Sequence, residues 1–372
     1  MIYLDHNATT PVLPEVATAM AHCLRHTFGN PSSSHAWGQK AKKAVDEARE
    51  QVGELIHARP DEIFFTSGGT EANNMAILGT AARFSRGHII SSSIEHPSVL
   101  NPLKHLGDQG RRITCLPVNQ YGIVEPRLLE RHLGSDTILI TVMHANNETG
   151  SLQPIAELGT IARSRGVLFH CDAAQSVGKV PVNVQRLNVD LLTIVPHKFY
   201  GPKGTGALYV RRGTELKPIL FGASHERGLR PGTENVCALV GFGKAAAIAK
   251  RDMKSRVTEM RKLSTLLYKE LMREIPGLKL NGHPRKRLPN TLNLSFPGVT
   301  GSALLDNLKG TIAASTGSAC HAGRHTPSPV LKAMGLSDEE ALSAVRLSLG
   351  TGTGESQIRL AVKAIAGACR SL

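Results

Sequence analysis

The stretch DEIFFTSGGTEANNMAILGTAARF, residues 61–84, joins the two patterns that decide the fold. Its first part is a short run rich in Ile and Phe, which is typical of a buried strand, and its last part has the length and composition of a helix. The same order recurs in GHIISSS and PSVLNPLKHLGDQG (87–93 and 97–110) and in DTILITVMHANNETG and PIAELGTIARSRG (136–150 and 154–166). This alternation predicts an α/β fold with a mainly parallel sheet flanked by helices.

The alternation extends over residues 15–245, which we predict to form a large domain. Beyond it the pattern changes to one long amphipathic helix at about residues 244–275, the predicted strands LPNTLNLSF, TIAAST and AVRLSLG, and the predicted helices SALLDNLKG and ESQIRLAVKAIAGACRSL. Residues 246–372, together with residues 1–14, are therefore predicted to form a smaller α+β domain. Ligands of a parallel sheet bind at the carboxyl ends of its strands, so we expect the functional residues of the large domain there.

Composition and charge limit the possible classes of protein. The 372 residues carry a formal net charge of +14, but the basic residues are dispersed and the densest run, residues 283–287, is short. This disfavours nucleic-acid binding and is compatible with an acidic protein partner or a phosphate-bearing ligand. The six cysteines are widely spaced, without the clusters that bind metals, and no apolar run approaches the roughly 20 residues of a membrane span. We expect no metal site and no membrane association, and a reducing, cytoplasmic compartment.

A first candidate site lies in TSGGTEAN, residues 66–73, where a strand gives way to small residues and then to a helix. Such a turn presents backbone N–H groups at a helix N-terminus, which favours phosphate binding. The alternative is an ordinary helix start that is capped by Ser67 or Thr70.

Two further strands end in residues that suit pyridoxal phosphate (PLP). Asp172 closes the apolar run VLFHCD and is followed by Gln175, and Lys198 follows TIVPH 26 residues further along the chain. A carboxylate can hold the ring nitrogen of PLP protonated, and a lysine can form a Schiff base with its aldehyde. Neighbouring strand ends would bring both side chains to one crevice. The alternative for Asp172 is a helix N-cap.

Four more residues are candidates from their surroundings. His96 follows a strand and could lie over a planar cofactor or move a proton, although a structural histidine is the alternative. Asn147 closes another strand, where a solvated turn is equally compatible. Arg346, amid apolar residues, could bind an α-carboxylate or form a structural ion pair. Cys320 lies among small residues in ASTGSACHAG and is expected to be an accessible nucleophile rather than an inert buried thiol.

Ten segments in this order resemble those of the PLP-dependent cysteine desulfurases of the NifS/IscS type: YLDHNATTP, GNPSS, FTSGGTEANN, EHPSV, ANNETG, DAAQSVGK, HKFYGPKGTGALYVR, RPGTENV, GSAC and RLSLG. The resemblance covers nearly the whole chain. It implies PLP fold type I, in the class V aminotransferase group, with a large PLP-binding domain and a small C-terminal domain that carries the cysteine loop. It also implies a homodimer that converts cysteine to alanine and delivers sulfur to an acceptor such as an iron–sulfur scaffold protein.

The resemblance also implies a role for each candidate residue. Lys198 would form the Schiff base, and Asp172 would pair with the pyridine nitrogen. The remaining cofactor contacts would be made by Gln175 at the phenolic oxygen, His96 on the ring face, and Gly69, Thr70 and His197 at the phosphate, with Thr233 from the second subunit. Asn147 and Arg346 would bind the substrate carboxylate. Cys320 would take the sulfur as a persulfide, and Lys198, with His96, would transfer protons.

The sequence departs from the family pattern in two places. Val195 and Pro196 stand where the family usually has a serine two residues before the histidine of the lysine motif, and Ala223 and Ser224 replace two residues of a glycine triplet. The segments TIVPHKFYGP and RLPNT resemble selenocysteine lyase, whereas GSACHAG resembles the desulfurases. Selenocysteine lyase is therefore the alternative activity, and that of another PLP-dependent lyase or aminotransferase is a more distant alternative.

Overall fold

The computed structural model describes residues 1–316 and 326–372. Within these residues the strands are β1 (Ile2–Tyr3), β2 (Ile63–Thr66), β3 (His88–Ser92), β4 (Arg112–Leu116), β5 (Thr137–Thr141), β6 (Leu168–Asp172), β7 (Leu191–Ile194), β8 (Gly206–Val210), β9 (Lys279–Asn281), β10 (Thr291–Ser295), β11 (Ile312–Ala313) and β12 (Ala344–Ser348).

The helices of the described residues flank these strands. They are α1 (Pro14–His26), α2 (Ala36–Ile56), α3 (Gly69–Ala81), α4 (Pro97–Asp108), α5 (Pro126–His132), α6 (Ile155–Ser164), α7 (Val184–Leu187), α8 (Val236–Glu274), α9 (Gly301–Asn307), α10 (Pro329–Ala333), α11 (Asp338–Leu342) and α12 (Glu355–Ser371). Short 3₁₀ turns lie at Pro60–Glu62, Pro196–Lys198 and His225–Gly228. None of the helices in the described part of the chain combines the length and apolarity that a membrane crossing requires.

The main sheet has the strand order β2-β8-β7-β6-β5-β3-β4. Strand β8 pairs antiparallel with both β2 and β7, and every other neighbouring pair is parallel. The predicted mainly parallel sheet is thus confirmed. Because β8 is antiparallel to both of its neighbours, β2 runs in the same direction as β7. The carboxyl ends of β2, β3, β5, β6 and β7 therefore all lie at the same edge of the sheet, and that edge carries the candidate site.

A smaller sheet with the order β12-β10-β9 is antiparallel, and β1 pairs in parallel with β11 through Ile2 and Ile312. Leu292 and Leu294 of β10 and Val345 and Leu347 of β12 are buried in a second hydrophobic core with β1's neighbour Leu4. The two domain ranges stay a prediction, since this arrangement does not mark where one unit ends.

Helix α8 links the two cores. It begins at Val236, where the Asn235 side chain accepts a hydrogen bond from the Ala238 N–H at 3.3 Å, and not at Lys244 as the amphipathic pattern indicated. Its first half, including Phe242, packs in the core of the main sheet, and its second half, including Leu267, packs in the core of the small sheet. The predicted boundary at residue 245 therefore falls within one continuous helix.

Candidate active site

The strand ends surround a cavity of about 350 Å³. Nine of the residues singled out from the sequence line it: Gly69, Thr70, His96, Asn147, Asp172, Gln175, His197, Lys198 and Arg346. They come from five strand ends of the main sheet and from β12 of the small sheet. Their convergence follows from the direction of the strands, since parallel neighbours end at the same edge.

Lys198 lies in the 3₁₀ turn that follows β7. Its Nζ donates to the backbone oxygens of Asn7 and Ala8, both at 2.7 Å. The Thr10 amide in turn donates to the His197 oxygen at 3.0 Å, so the segment at residues 5–10 is tied to the lysine turn. Sequence reasoning missed Asn7 and Ala8 as neighbours of Lys198, although both belong to the YLDHNATTP segment that contributes to the resemblance.

Asp172 closes β6 and is only 6% exposed. Its Oδ2 accepts from the Asn73 amide at 2.8 Å, and its Oδ1 accepts from the Ala174 N–H at 2.9 Å. The second contact closes a turn at residues 174–179 rather than a helix, so the alternative of a helix N-cap at Asp172 is wrong. Two donors at fixed sites hold the carboxylate in one orientation. Asn73 was also missed, despite its place in FTSGGTEANN.

A chain of hydrogen bonds connects Asp172 to His96. The Asn73 amide also donates to Ser98 Oγ at 2.8 Å, and Ser98 Oγ lies 2.8 Å from His96 Nδ1, which additionally accepts from the Ser98 amide at 3.1 Å. Because Nδ1 is an acceptor, the proton of the neutral ring lies on Nε2. Burial lowers the pKa of His96, against the attraction of Asp172 and together with the repulsion of Lys198, so the ring is neutral at neutral pH.

The N-terminus of α3 lies at the end of β2, at residues 67–70, where the sequence predicts a phosphate cradle. Its N-cap is Gly68, and Ser67 instead donates its amide to Glu71 at 2.7 Å, so the predicted alternative of a Ser67 or Thr70 cap is wrong.

A Cβ at Gly69 would lie 2.8 Å from Val195 Cγ2, which explains a glycine at this place. Val195 also lines the cavity, so the departure from serine puts a methyl group beside the cradle.

His197 lines the same cavity. Its Nδ1 is 3.1 Å from Thr9 Oγ1. Burial lowers the pKa of His197 to about 4, and the nearby charges of Lys198, Lys203 and Lys179 act in the same direction. The imidazole is therefore neutral at neutral pH and can serve an anion as a hydrogen-bond donor rather than as a cation.

Arg346 reaches the cavity from β12. Its Nη2 lies 2.7 Å from Asp5 Oδ1, and its Nη1 donates to the Asn147 backbone oxygen at 3.0 Å. The side chain is 3% exposed. Arg346 thus forms the ion pair that was its alternative and also lines the cavity. Asp5 neutralises the buried guanidinium. Asp5 was not anticipated from the sequence.

Two predicted residues are not part of this arrangement. Thr233 lies in a separate cavity of about 170 Å³ with Ser67 and Arg230 among its neighbours, and the prediction assigned it to the site of a second subunit. Cys320 lies outside the described residues. The roles assigned to both stay predictions.

The fold and the lysine, carboxylate and glycine-rich turn at its strand ends define a protein of PLP fold type I. Residues 2–360 match the class-V aminotransferase family. The chain belongs to this family, whose members depend on PLP.

Relatives of this chain are similar over almost their whole length. A cysteine desulfurase IscS of Dictyoglomus turgidum is 46% identical over 360 residues, 96% of this chain and 91% of the relative. An IscS of Pseudomonas entomophila is 47% identical over 378 residues, 100% of this chain and 93% of the relative. A solved structure titled NifS-like protein has a TM-score of 0.94 at 36% identity and covers 100% of both chains. The predicted resemblance is thereby confirmed.

The residues of the cavity fit PLP. Gly69 leaves room that a Cβ would fill, next to the first turn of α3 where a phosphate can bind. In the same cavity Lys198 offers an amine and Asp172 an oriented carboxylate, the two groups that the aldehyde and the ring nitrogen require. The donor set therefore matches each end of the cofactor.

Proposed function

We propose that this chain is a PLP-dependent cysteine desulfurase. The observation that carries the proposal is that Lys198, Asp172 and Arg346 line one cavity, in a chain whose curated relatives are cysteine desulfurases. In the reaction the Cβ–Sγ bond of L-cysteine breaks and an S–S bond to the Cys320 thiolate forms. The electron pair left on Cβ takes up a proton, which gives L-alanine and a persulfide on Cys320.

The place of the cavity residues supports the cofactor roles that the resemblance implies. Lys198 would hold PLP covalently, Asp172 would pair with its ring nitrogen and His96 would lie against its face. Gln175 would contact the phenolic oxygen, and the phosphate would be bound by Gly69, Thr70 and His197, with Thr233 of a second subunit. When bound, PLP supplies an electron sink for the negative charge that develops on the substrate.

Arg346 and Asn147 would bind the substrate carboxylate. A guanidinium suits a carboxylate because its N–H groups form a planar fork. Asp5 holds Arg346 at 2.7 Å, and the Asn147 oxygen accepts from Nη1, so the fork is fixed before any substrate arrives. This preorganisation lowers the entropic cost of orienting the amino acid.

Proton transfer would fall to Lys198, assisted by His96. The amine of Lys198 is directed by the two carbonyls of Asn7 and Ala8, and the neutral ring of His96 carries its proton on Nε2. A neutral imidazole can donate that proton or, in the other direction, accept one. Both groups line the same cavity, within reach of one substrate.

We place the enzyme in the cytoplasm as a homodimer that passes its sulfur to an acidic protein, such as an iron–sulfur scaffold. The compartment is supported by the free thiols of the described cysteines Cys23, Cys115, Cys171, Cys237 and Cys369. The acceptor is supported by the net charge of +14, since electrostatic attraction speeds the encounter of oppositely charged surfaces.

The test is a product assay with L-cysteine and L-selenocysteine, each with and without a thiol reductant. We expect alanine from L-cysteine and, by mass spectrometry, one added sulfur on Cys320. Cys320→Ser should keep the cofactor absorbance and form no persulfide, because a hydroxyl cannot accept the sulfur. Turnover of selenocysteine alone would make the chain a selenocysteine lyase, and full sulfur release by the serine variant would refute Cys320 as nucleophile.

A further inference from the structure

Lys179 is a half-buried amine next to the cavity that has no role in the proposed reaction. Its Nζ donates to Gln175 Oε1 at 2.8 Å and to Asn7 Oδ1 at 3.0 Å. Burial holds its pKa well below the usual range of lysine, and repulsion by Lys198 and Arg346 lowers the pKa further. Removing a lysine from water is costly, so this one must be retained for what it contacts.

The contact with Gln175 sets the orientation of an amide. A glutamine amide has one acceptor oxygen and an –NH₂ group with two donors. Because Lys179 donates to Oε1, the –NH₂ group lies on the other side, where Nε2 donates to the Asn7 oxygen at 2.9 Å. The second N–H of that group remains for a ligand in the cavity that Gln175 lines. A flipped amide would instead present its oxygen to that ligand.

The contact with Asn7 helps to position the residue whose backbone oxygen accepts a hydrogen bond from Lys198. Asn7 is fully buried, and its backbone oxygen accepts from both Lys198 Nζ at 2.7 Å and Gln175 Nε2 at 2.9 Å. Its side-chain amide donates to the Asn147 oxygen at 3.2 Å and to Thr291 Oγ1 at 2.9 Å, while its Oδ1 receives Lys179. Lys179 thus binds at the node that joins Gln175, Lys198 and Asn147.

We propose that Lys179 is a positioning residue of the cofactor site: its two hydrogen bonds direct an N–H of Gln175 toward the phenolic oxygen of PLP and hold the Asn7 carbonyl beneath Lys198. Either protonation state of the amine has the two N–H groups that this requires. The inference rests on the proposed cofactor contact of Gln175. It does not depend on which amino acid the enzyme cleaves.

The test compares Lys179→Met with the parent protein in two measurements on PLP itself. The first is the dissociation constant of PLP from the apoprotein, and the second is the pH midpoint of the visible absorbance band of the bound cofactor. We expect affinity lower by on the order of tenfold, since a hydrogen bond to a charged group is lost or reversed. The midpoint should rise, because a phenolate oxygen without its N–H donor holds a proton to higher pH.

The comparison leaves the other titratable groups that interact with Lys179 in place: Lys198, Arg346, His6 and His197. Lys203→Met serves as the matched control, because Lys203 is an exposed lysine near His197 that makes neither hydrogen bond. Its midpoint should equal that of the parent. Lys179→Arg, which keeps donor N–H groups, should bring the pH midpoint part of the way back to that of the parent protein.

A double-mutant cycle with Gln175→Leu separates positioning from a general effect. If Lys179 acts through Gln175, the midpoint of Lys179→Met in the Gln175→Leu background will not move further. An unchanged midpoint and affinity in Lys179→Met, or a shift that adds in full to that of Gln175→Leu, overturns the proposal. Circular dichroism of the apoproteins checks folding, and Lys179→Gln is measured in the same way if Lys179→Met does not fold. Since no readout uses cysteine, a failed desulfurase assay leaves this result intact.

Discussion

Lys198 shows how single residues of the site depend on contacts far away in the chain. Its amine rests on the carbonyls of Asn7 and Ala8, which are 191 and 190 positions earlier. The place of Lys198 in the site could be predicted because a lysine at the end of a buried strand requires a partner. The carbonyls could not, because nothing local in YLDHNATTP indicates that it packs against the turn after β7.

Lys198→Ala is expected to remove covalent cofactor binding. Without the amine, PLP is held only by hydrogen bonds and stacking, so gel filtration should strip the visible absorbance from the variant and retain it in the parent. Alanine production should fall below detection. A variant that keeps the band and its activity after gel filtration would mean that another amine holds the cofactor.

At the scale of elements, local patterns were sufficient for β2 and α3 but not for the start of α8. The pairs of strand and helix were predictable because each has its own periodicity and turn residues. Residues 236–243, the first part of α8, have the sequence VCALVGFG. This segment lacks a polar face because α8 packs on α1 and α2. An amphipathic pattern cannot be recognised where a helix is buried on all sides.

The loop before α8 carries the second departure from the family pattern, Ala223 and Ser224. Just beyond them Glu226 and Arg227 adopt left-handed φ values of 45° and 55°. The conformation is held by Arg49 of α2, whose two terminal nitrogens each lie 2.7 Å from a carboxylate oxygen of Glu226, and by the Phe65 amide at 3.0 Å. The loop that leads to Thr233 is therefore anchored on the main sheet.

Glu226→Ala should lower the free energy of unfolding by about 3–5 kcal/mol, because it leaves the buried guanidinium of Arg49 without its carboxylate. Chemical denaturation measures the change. The control is Glu215→Ala, whose carboxylate is 77% exposed and pairs with Arg83. That change should cost no more than about 1 kcal/mol. Equal losses in the two variants would show that the Glu226 pair contributes little.

At the scale of the whole molecule, three buried histidines and the half-buried His197 make stability depend on pH. The pKa values of His6, His144, His170 and His197 are each lowered to about 4, in every case mainly by burial. An unfolded histidine has a pKa of about 6.5. Between these values the unfolded state binds more protons than the folded state, so the free energy of unfolding falls as the pH drops from about 6.5 toward 4.

Each such histidine contributes up to about 1.4 kcal/mol per pH unit in this window. Glu95 opposes them, because burial raises its pKa to about 8 and its folded form keeps a proton that the unfolded form releases. Burial also raises the pKa of Asp190, but below about pH 6.5 the four imidazoles outweigh these two carboxyls and the net slope is positive. Denaturation midpoints measured from about pH 6.5 to pH 4.5 should decrease steadily, and His170→Asn should flatten the slope. A stability that is constant over this range contradicts the prediction.

The 39-residue length of α8 has a mechanical consequence. Because one rod runs through both cores, the β12 side of the molecule cannot swing about a hinge near residue 245 without melting a turn of helix. The separation between the guanidinium at 346 and the amine at 198 is therefore set by the scaffold, and any closing motion over an amino acid has to come from the loops around the cavity mouth.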